Sequence, residues 1–541
     1  MKKSFAILTA LTALSVFQVN ADVKTPQKNE QILKRDLDSE PDSLHVAKAI
    51  GFPSYFITRD IYEGLVICNQ DGKLIPATAE KWDIENDGKL YRFHLRKNAK
   101  WSNGDPVTAH DFVFAWQHIL DPKTASNYAF THYPILNAEQ INKGEIKDFS
   151  QLGVKAIDDY TLEVNLKSTT PYFLNGLLHH SFFPFHKASY EKLGDQDFVK
   201  PGNLVSNGAF VLSERRVNEF IMLSKNPYYW DQEHVKLDKV QYFPMEDTNA
   251  SLKKYRAGEL DLTFAVPSDR FKQVKDDPIL SKDLRTHPYL STFYYGINLA
   301  KEPLGKNKDV REALSLVIDR EILAEKIIAA GEIPAYGLVP PNTANAKPQC
   351  VPFKDMPMNE RIERAKTLYK EAGYSEKNPL KLTFSYNTNE NHKKIAIAVV
   401  DMWKQHLPGI QIAFHNMEMK IYLQERYEKK NFEICRSGWV GDYNDPYSFS
   451  ETMISNAPMN DLGYSSPDYD NLVKKASMTN NLDERATLLG EAEIHLLNHH
   501  ALIPLYHTVR SRLVKPNVGG YKVTENNVLD IFYSKDLEII R

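Results

Sequence analysis

Cysteine is scarce in this chain: Cys68, Cys350 and Cys435 are the only three in 541 residues, an odd number, widely spaced. That excludes a disulfide framework, and the lack of any C-x-x-C removes the usual zinc signature. The three thiols read as small buried hydrophobes, with one bridge left open. Glycine is also sparse, at 24 residues, and with the 42% of AVILMFWYC it brings the apolar share to about 46% beside 25% charged. Collagen-like, low-complexity and disordered classes are excluded by that balance. Neither sign of charge dominates, since 67 Lys+Arg stand against 70 Asp+Glu for a net charge of -3. No basic field draws nucleic acid or anionic lipid, so any partner is recognised locally. Beyond the N-terminus no apolar run approaches the ~20 residues of a membrane span. The signatures G-x-S-x-G, Walker A and G-x-G-x-x-G are missing too, which leaves hydrolase, NTPase and dinucleotide readings without their usual marks.

What is present begins with a targeting segment. Lys2 and Lys3 precede the mostly apolar run Phe5 to Phe17, which ends at Val19-Asn20-Ala21, the order of a cleaved secretory signal over residues 1–21. An uncleaved anchor is the alternative, and the run is short for one. Losing both lysines takes the charge from -3 to -5. No cysteine follows the apolar run to accept lipid, so a bacterial chain of this kind is expected free in the periplasm. The remaining length is enough for several domains, at about 100–200 residues each.

The periodicities predict an α/β fold. Residues 81–85 and 90–95 alternate about Asn86-Asp87-Gly88, a hairpin signal. Asp309 with Glu312 forms a capping-box pattern ahead of the stripe Val310, Ala313, Leu314, Val317, Ile318. A second helix is predicted from Ile362, Ala365, Leu368, Tyr369 and Ala372, closed by Gly373. Between Leu380 and Arg436 the pattern reads β-α-β-α-β, which favours parallel strands covered by helices. Such sheets bind ligands at the carboxyl ends of their strands. This places His392 beyond the first strand, and Arg436 with the loop Ser437 to Tyr443 beyond the third.

That rim carries both signs of charge. Asp442 can neutralise an ammonium while Arg436 and His392 hold a carboxylate, which suits a zwitterion with separated ends; the alternative is that Arg436 and Asp442 pair with each other. Trp439 lies between Gly438 and Gly441, which permit close approach of another backbone, as when a peptide adds as a strand. His495 and His499 are spaced i, i+4 on a helix predicted for residues 485–498, but without an intervening H-E-x-x-H glutamate they read as surface. Asp442-Tyr443-Asn444-Asp445 lacks the glycine and glutamate of a calcium loop.

Several blocks resemble one family. Tyr62-Glu63-Gly64-Leu65, the stretch from Ala79 to Trp101, Pro106 to Phe112, Asn207-Gly208-Ala209-Phe210, Asn226-Pro227-Tyr228-Tyr229-Trp230-Asp231 and Arg512-Leu513-Val514-Lys515-Pro516 are similar to the periplasmic oligopeptide-binding proteins of ABC importers. The resemblance implies a two-lobed periplasmic binding protein fold with an extra domain on the N-terminal lobe. Expected boundaries are 22–62, 190–290 and 510–541 for lobe I, 63–189 for the extra domain and 291–509 for lobe III. It also implies a ligand set: Asp442 for the peptide ammonium, Gly438 and Trp439 for strand-like bonds, Gly51 and Phe52 from the opposite lobe, Arg436, His392 and Arg426 for carboxylates, and Tyr294 in the cleft.

Ser291 and Val440 stand where the general oligopeptide binders usually carry a cysteine pair, and Gly296 and Ile328 where they carry ionic residues. Those departures, with residues 387–392 and 439–444, resemble the murein-tripeptide branch, in which the D-Glu carboxylate meets the position of Arg426. The expected protein is therefore a monomeric, cofactor-free receptor that is not an enzyme and passes short peptides to an ABC permease. Rival readings are a general oligopeptide receptor, a receptor for haem, metal or antimicrobial peptides, and a secreted enzyme acting on peptides or peptidoglycan.

Overall fold

Asn86, Asp87 and Gly88 all sit at positive φ, 50°, 53° and 80°, a conformation these residue types tolerate best. They turn Ala79–Glu85 back onto Leu90–Leu95, with Glu85 opposite Leu90, so the expected hairpin forms. It belongs to a four-stranded antiparallel sheet completed by Thr161–Asn165 and Val154–Asp158. The computed structural model describes residues 30–540 apart from 429, 430, 456 and 458; the expected signal segment, 1–21, lies outside them. No helix among the described residues is long and apolar enough to cross a membrane.

A second four-stranded sheet joins Ile32–Leu37, parallel, to Lys239–Pro244, followed by Phe220–Lys225 and Phe210–Arg216. One apolar core, including Leu33, Trp101, Trp116, Phe185, Val240 and Phe532, packs these two sheets. A separate core, with Tyr295, Val310, Phe384, Trp403 and Leu496 among its members, packs the third sheet.

The third sheet carries the predicted β-α-β-α-β segment. Its strands in chain order are β1 (Leu284–Ile297), β2 (Ile333–Pro334), β3 (Lys381–Asn387), β4 (Gln411–Met417), β5 (Ile434–Val440) and β6 (Leu502–Leu513). They lie in the order β2-β6-β1-β5-β3-β4. β3 runs parallel to both β4 and β5, and the crossover from β3 to β4 is the helix α1 (Glu390–His406), as the periodicity predicts. The third strand, however, does not end at Arg436. It continues through Ser437, Gly438 and Trp439 to Val440, paired along its whole length with β1.

Other details differ from expectation for identifiable reasons. The helix Lys308–Leu316 is capped by Asn307, whose side-chain oxygen accepts the Val310 N–H at 3.1 Å, in place of the Asp309–Glu312 box. Glu312 is drawn instead to Arg364, at 2.6 Å, and His500, at 3.6 Å. In Met358–Glu371 the buried face includes Arg361 rather than Ile362, because the Arg361 guanidinium donates to the Leu316 and Ile318 carbonyls. All three cysteines are unbridged, and Cys350 is exposed rather than buried.

One ion pair fixes the end of the third sheet. Arg485 and Asp445, both fully buried, make two parallel bonds of 2.7 and 2.8 Å, and Arg485 also lies over the rings of Tyr172 and Tyr447. Removing one partner of such a pair leaves the other charge buried alone, at a cost of about 3–5 kcal/mol. Arg485→Ala is therefore expected to lower the thermal midpoint of the purified protein well below that of the surface substitution Lys474→Ala. Equal midpoints in differential scanning calorimetry would contradict this role.

Candidate ligand cleft

The site is built on the far half of β5. Its pairing with β3 covers only Ile434 and Cys435, whereas its pairing with β1 continues to Val440. Beyond Cys435, then, one edge of β5 has no strand beside it among the described residues, although the Arg436 carbonyl accepts the Tyr422 hydroxyl. Gly438 is exposed there, and a β-carbon on it would come within 3.2 Å of the Thr292 carbonyl oxygen. The chain then leaves the sheet through Gly441, whose N–H donates to the Leu290 carbonyl at 2.8 Å. A β-carbon at Gly441 would meet Leu290 Cδ2 at 2.5 Å, so only glycine fits without displacement.

This turn presents Asp442. Its backbone N–H donates to Ser448 Oγ at 2.9 Å, but its carboxylate has no hydrogen-bond or ion-pair partner among the described residues. Burial pushes its pKa up to about 7. The alternative of an Arg436–Asp442 pair is not realised. Close by, Glu451 accepts the Tyr443 hydroxyl at 2.7 Å, and burial, then the Asp442 charge, push it up to about 8. Asp442 also raises the Tyr128 phenol, after burial, and Tyr172 stacks on Tyr443 at 4.7 Å and on Tyr447 at 4.9 Å. Residues from the segment between the first two sheets' strands, Tyr128 and Tyr172, thus stand at the acidic end.

Strand alternation divides the expected cations. Arg436 lies over the Phe293 ring, 5.2 Å from its centroid, and His392, at the start of α1, is 5.6 Å from the same ring. Arg436 makes no ion pair among the described residues, and its Nε is buried without a hydrogen-bond partner. Burial lowers its pKa. The His392 imidazole is held neutral, pushed down to about 3 by burial and the Arg436 charge, with Nδ1 also unpartnered. Arg426 sits with Ser437 on the other face of the sheet: its Nη2 donates to Ser437 Oγ at 2.7 Å and its Nε to the buried Asp461 carboxylate. The cation expected to meet a ligand carboxylate is already occupied by a protein one.

The remaining expected positions differ in availability. Trp439 is half-buried, with its indole Nε1 unpartnered. Tyr294 is buried in β1 opposite Ser437. Gly51 caps the helix Phe52–Ile61; its N–H donates to Asp42 at 3.0 Å and its carbonyl accepts from the Tyr55 N–H. The Phe52 side chain lies outside the described residues. His499 faces Arg311, while His495 is exposed. Tyr128, Tyr172 and Asp461 escape the sequence reading because each is brought in from a distant segment, and Glu451, eight residues from Tyr443, because no pattern marks it.

An open strand edge between an unpaired anion and an unpaired cation, carried on a two-lobed α/β frame, defines an extracellular solute-binding receptor. The sequence bears this out: residues 73–461 match the family described as bacterial extracellular solute-binding proteins, family 5, and the chain belongs to that family. It is 38% identical over the full length of both chains to the periplasmic murein peptide-binding protein MppA of Escherichia coli K12. It is 41% identical to the periplasmic oligopeptide-binding protein OppA of Salmonella typhimurium LT2, over 99% of this chain and 97% of that one. The solved structure of the E. coli murein tripeptide binding protein MppA superposes with a TM-score of 0.84 at 40% identity, covering 95% of this chain and 99% of the other.

The raised pKa of Asp442 fixes the sign of a pH effect. The folded chain keeps a proton on this carboxyl up to about pH 7, whereas the unfolded chain loses it near the ordinary ~3.9. Stability contributed at this position therefore falls as pH rises from about 4 to about 7. Asp442→Asn lacks that titration. It is expected to gain thermal midpoint over wild type at pH 8 and to match it at pH 4; a constant difference at both pH values would show that Asp442 titrates normally.

Proposed function

We propose that the protein is a periplasmic receptor that captures short peptides by their charged ends and delivers them to an ABC permease, with murein tripeptide favoured over general oligopeptides. The observation that carries this reading is the pair of uncompensated charges, Asp442 and Arg436, flanking the unpaired edge of β5. A peptide laid along that edge adds a strand, its ammonium meets Asp442, and its carboxylate meets Arg436 and the neutral imidazole of His392. Gly438 and Trp439 line the strand-like contact, and Tyr294 supports it from β1. Arg436 replaces Arg426 as the carboxylate receptor, since Asp461 and Ser437 hold the latter. The relatives named above, described as binding murein peptide and oligopeptide, support a peptide ligand.

We place the lobe boundaries at residues 22–62, 190–290 and 510–541, with the extra domain at 63–189 and lobe III at 291–509. In this reading the receptor acts as a monomer and releases its peptide chemically unchanged. Recovery of intact peptide after incubation separates it from a secreted peptidase, and mass spectrometry of ligand released on denaturing the native protein identifies the cargo.

Truncating one partner of a buried charge pair costs about 2–5 kcal/mol. At ~1.4 kcal/mol per decade, Asp442→Ala is expected to weaken tripeptide binding by roughly thirty- to several-thousand-fold in calorimetry. N-acetylation of the peptide should have a comparable effect on wild type, because it removes the same pair. Arg436→Ala should weaken a free peptide more than its C-terminal amide. If acetylated and free peptides bind wild type equally, the ammonium is not held by Asp442.

A further inference from the structure

The cleft contains a third charge without a counter-charge. Glu332 immediately precedes β2, and its Oε2 is buried with no hydrogen-bond partner. Burial raises its pKa, and the only groups opposing that rise are the backbone amides of Ala330 and of Glu332 itself. Among the described residues no cation pairs with it.

The sheet register shows where this carboxylate stands. Pro334 in β2 is opposite Tyr506 in β6, and Tyr506 is opposite Phe293 in β1. The Tyr506 and Phe293 rings stack at 4.8 Å and 11°, so they share a face of the sheet. Glu332, two residues before Pro334, falls on that face by alternation, as does Arg436 over Phe293. Tyr506 lies within electrostatic reach of both: beyond the effect of burial, Glu332 raises its pKa and Arg436 lowers it. An aromatic floor of two stacked rings therefore has an uncompensated cation at one end and an uncompensated anion at the other.

We propose that Glu332 is a specificity residue of the peptide cleft, receiving the terminal ammonium of a long side chain on the ligand residue whose carboxylate Arg436 holds. The inference rests on the peptide-receptor reading. The ligand class is a peptide ending in a diamino acid such as lysine, ornithine or diaminopimelate. The apolar stem of such a side chain crosses the Tyr506 and Phe293 rings, a path that suits both its methylenes and its cation. A carboxylate with a buried, unpartnered oxygen and no counter-charge discriminates strongly, because an uncharged isostere leaves that oxygen desolvated and unpaired.

The test is calorimetry on the mature protein with Ala-Ala-Lys, Ala-Ala-norleucine and Ala-Ala-Ala. Norleucine matches the length of lysine without its charge. Wild type is expected to bind the lysine peptide at least tenfold more tightly than the norleucine peptide. Glu332→Gln should bring those two affinities within twofold of each other, and Glu332→Asp should keep part of the preference. An equal affinity of wild type for the two peptides overturns the inference without any variant, as does a preference that survives Glu332→Gln. Tight binding of tri-alanine alongside either result leaves the receptor reading standing. Failure of all three peptides to bind wild type overturns that reading and this inference with it.

Discussion

A carboxylate partly withdrawn from water without a partner is costly to the fold, and the cleft of this protein is organised around one. Asp442 has no cation and accepts no hydrogen bond among the described residues, so burial alone sets its pKa near 7. The surrounding chain maintains that imbalance. Gly441 is pressed against Leu290, which fixes the exit of β5. Asp445, three residues on, consumes the nearby Arg485 guanidinium in a bidentate pair, so that charge is not available to Asp442. Glu451, nearby, is pushed up as well, by burial and then by the Asp442 charge, so it brings no cation to this end of the cleft.

The strand edge beside this acid follows from the order of the sheet. A parallel neighbour, β3, accompanies β5 for two residues and then departs, while the antiparallel neighbour β1 stays to the end. On the vacated side the Arg436 carbonyl accepts the Tyr422 hydroxyl, and a peptide beside the remaining backbone groups supplies the same hydrogen bonds as a strand. Main-chain pairing of that sort is indifferent to side chains. Selectivity then rests on the charges at the ends and on what the floor presents between them.

Much of this was legible in the sequence wherever the periodicity was clean. Leu382, Phe384 and Tyr386 alternate because they line a strand buried on one face, and the β-α-β-α-β segment formed in the predicted order. The position of the charged rim was legible for the same reason. Reading failed where polar residues are internal. Arg311, Arg320, Arg361 and Arg485 are buried; the first three donate chiefly to backbone carbonyls, and no hydrophobic pattern marks them. The partner of Arg426 was not legible, because Asp461 lies 35 residues away and nothing in the intervening sequence announces the contact. The length of β5 was underread because Ser437 and Gly438 resemble a turn, whereas their partner strand holds them extended. Tyr128 and Tyr172 approach from a distant segment, which only tertiary structure can bring about.

The spacing of the two end charges also limits the cargo. Arg436 and Asp442 are six positions apart, so their α-carbons are separated by at most about 20 Å even if the chain between them is fully extended. Three extended residues span about 10 Å and nine about 30 Å. In the proposed reading, a nonapeptide fully extended along the strand edge is longer than this upper bound, whereas a tripeptide is not. The same arithmetic explains why Asp442 and Arg436 do not neutralise each other: the strand that carries both keeps them apart, and a zwitterion of the right length is what completes the pair.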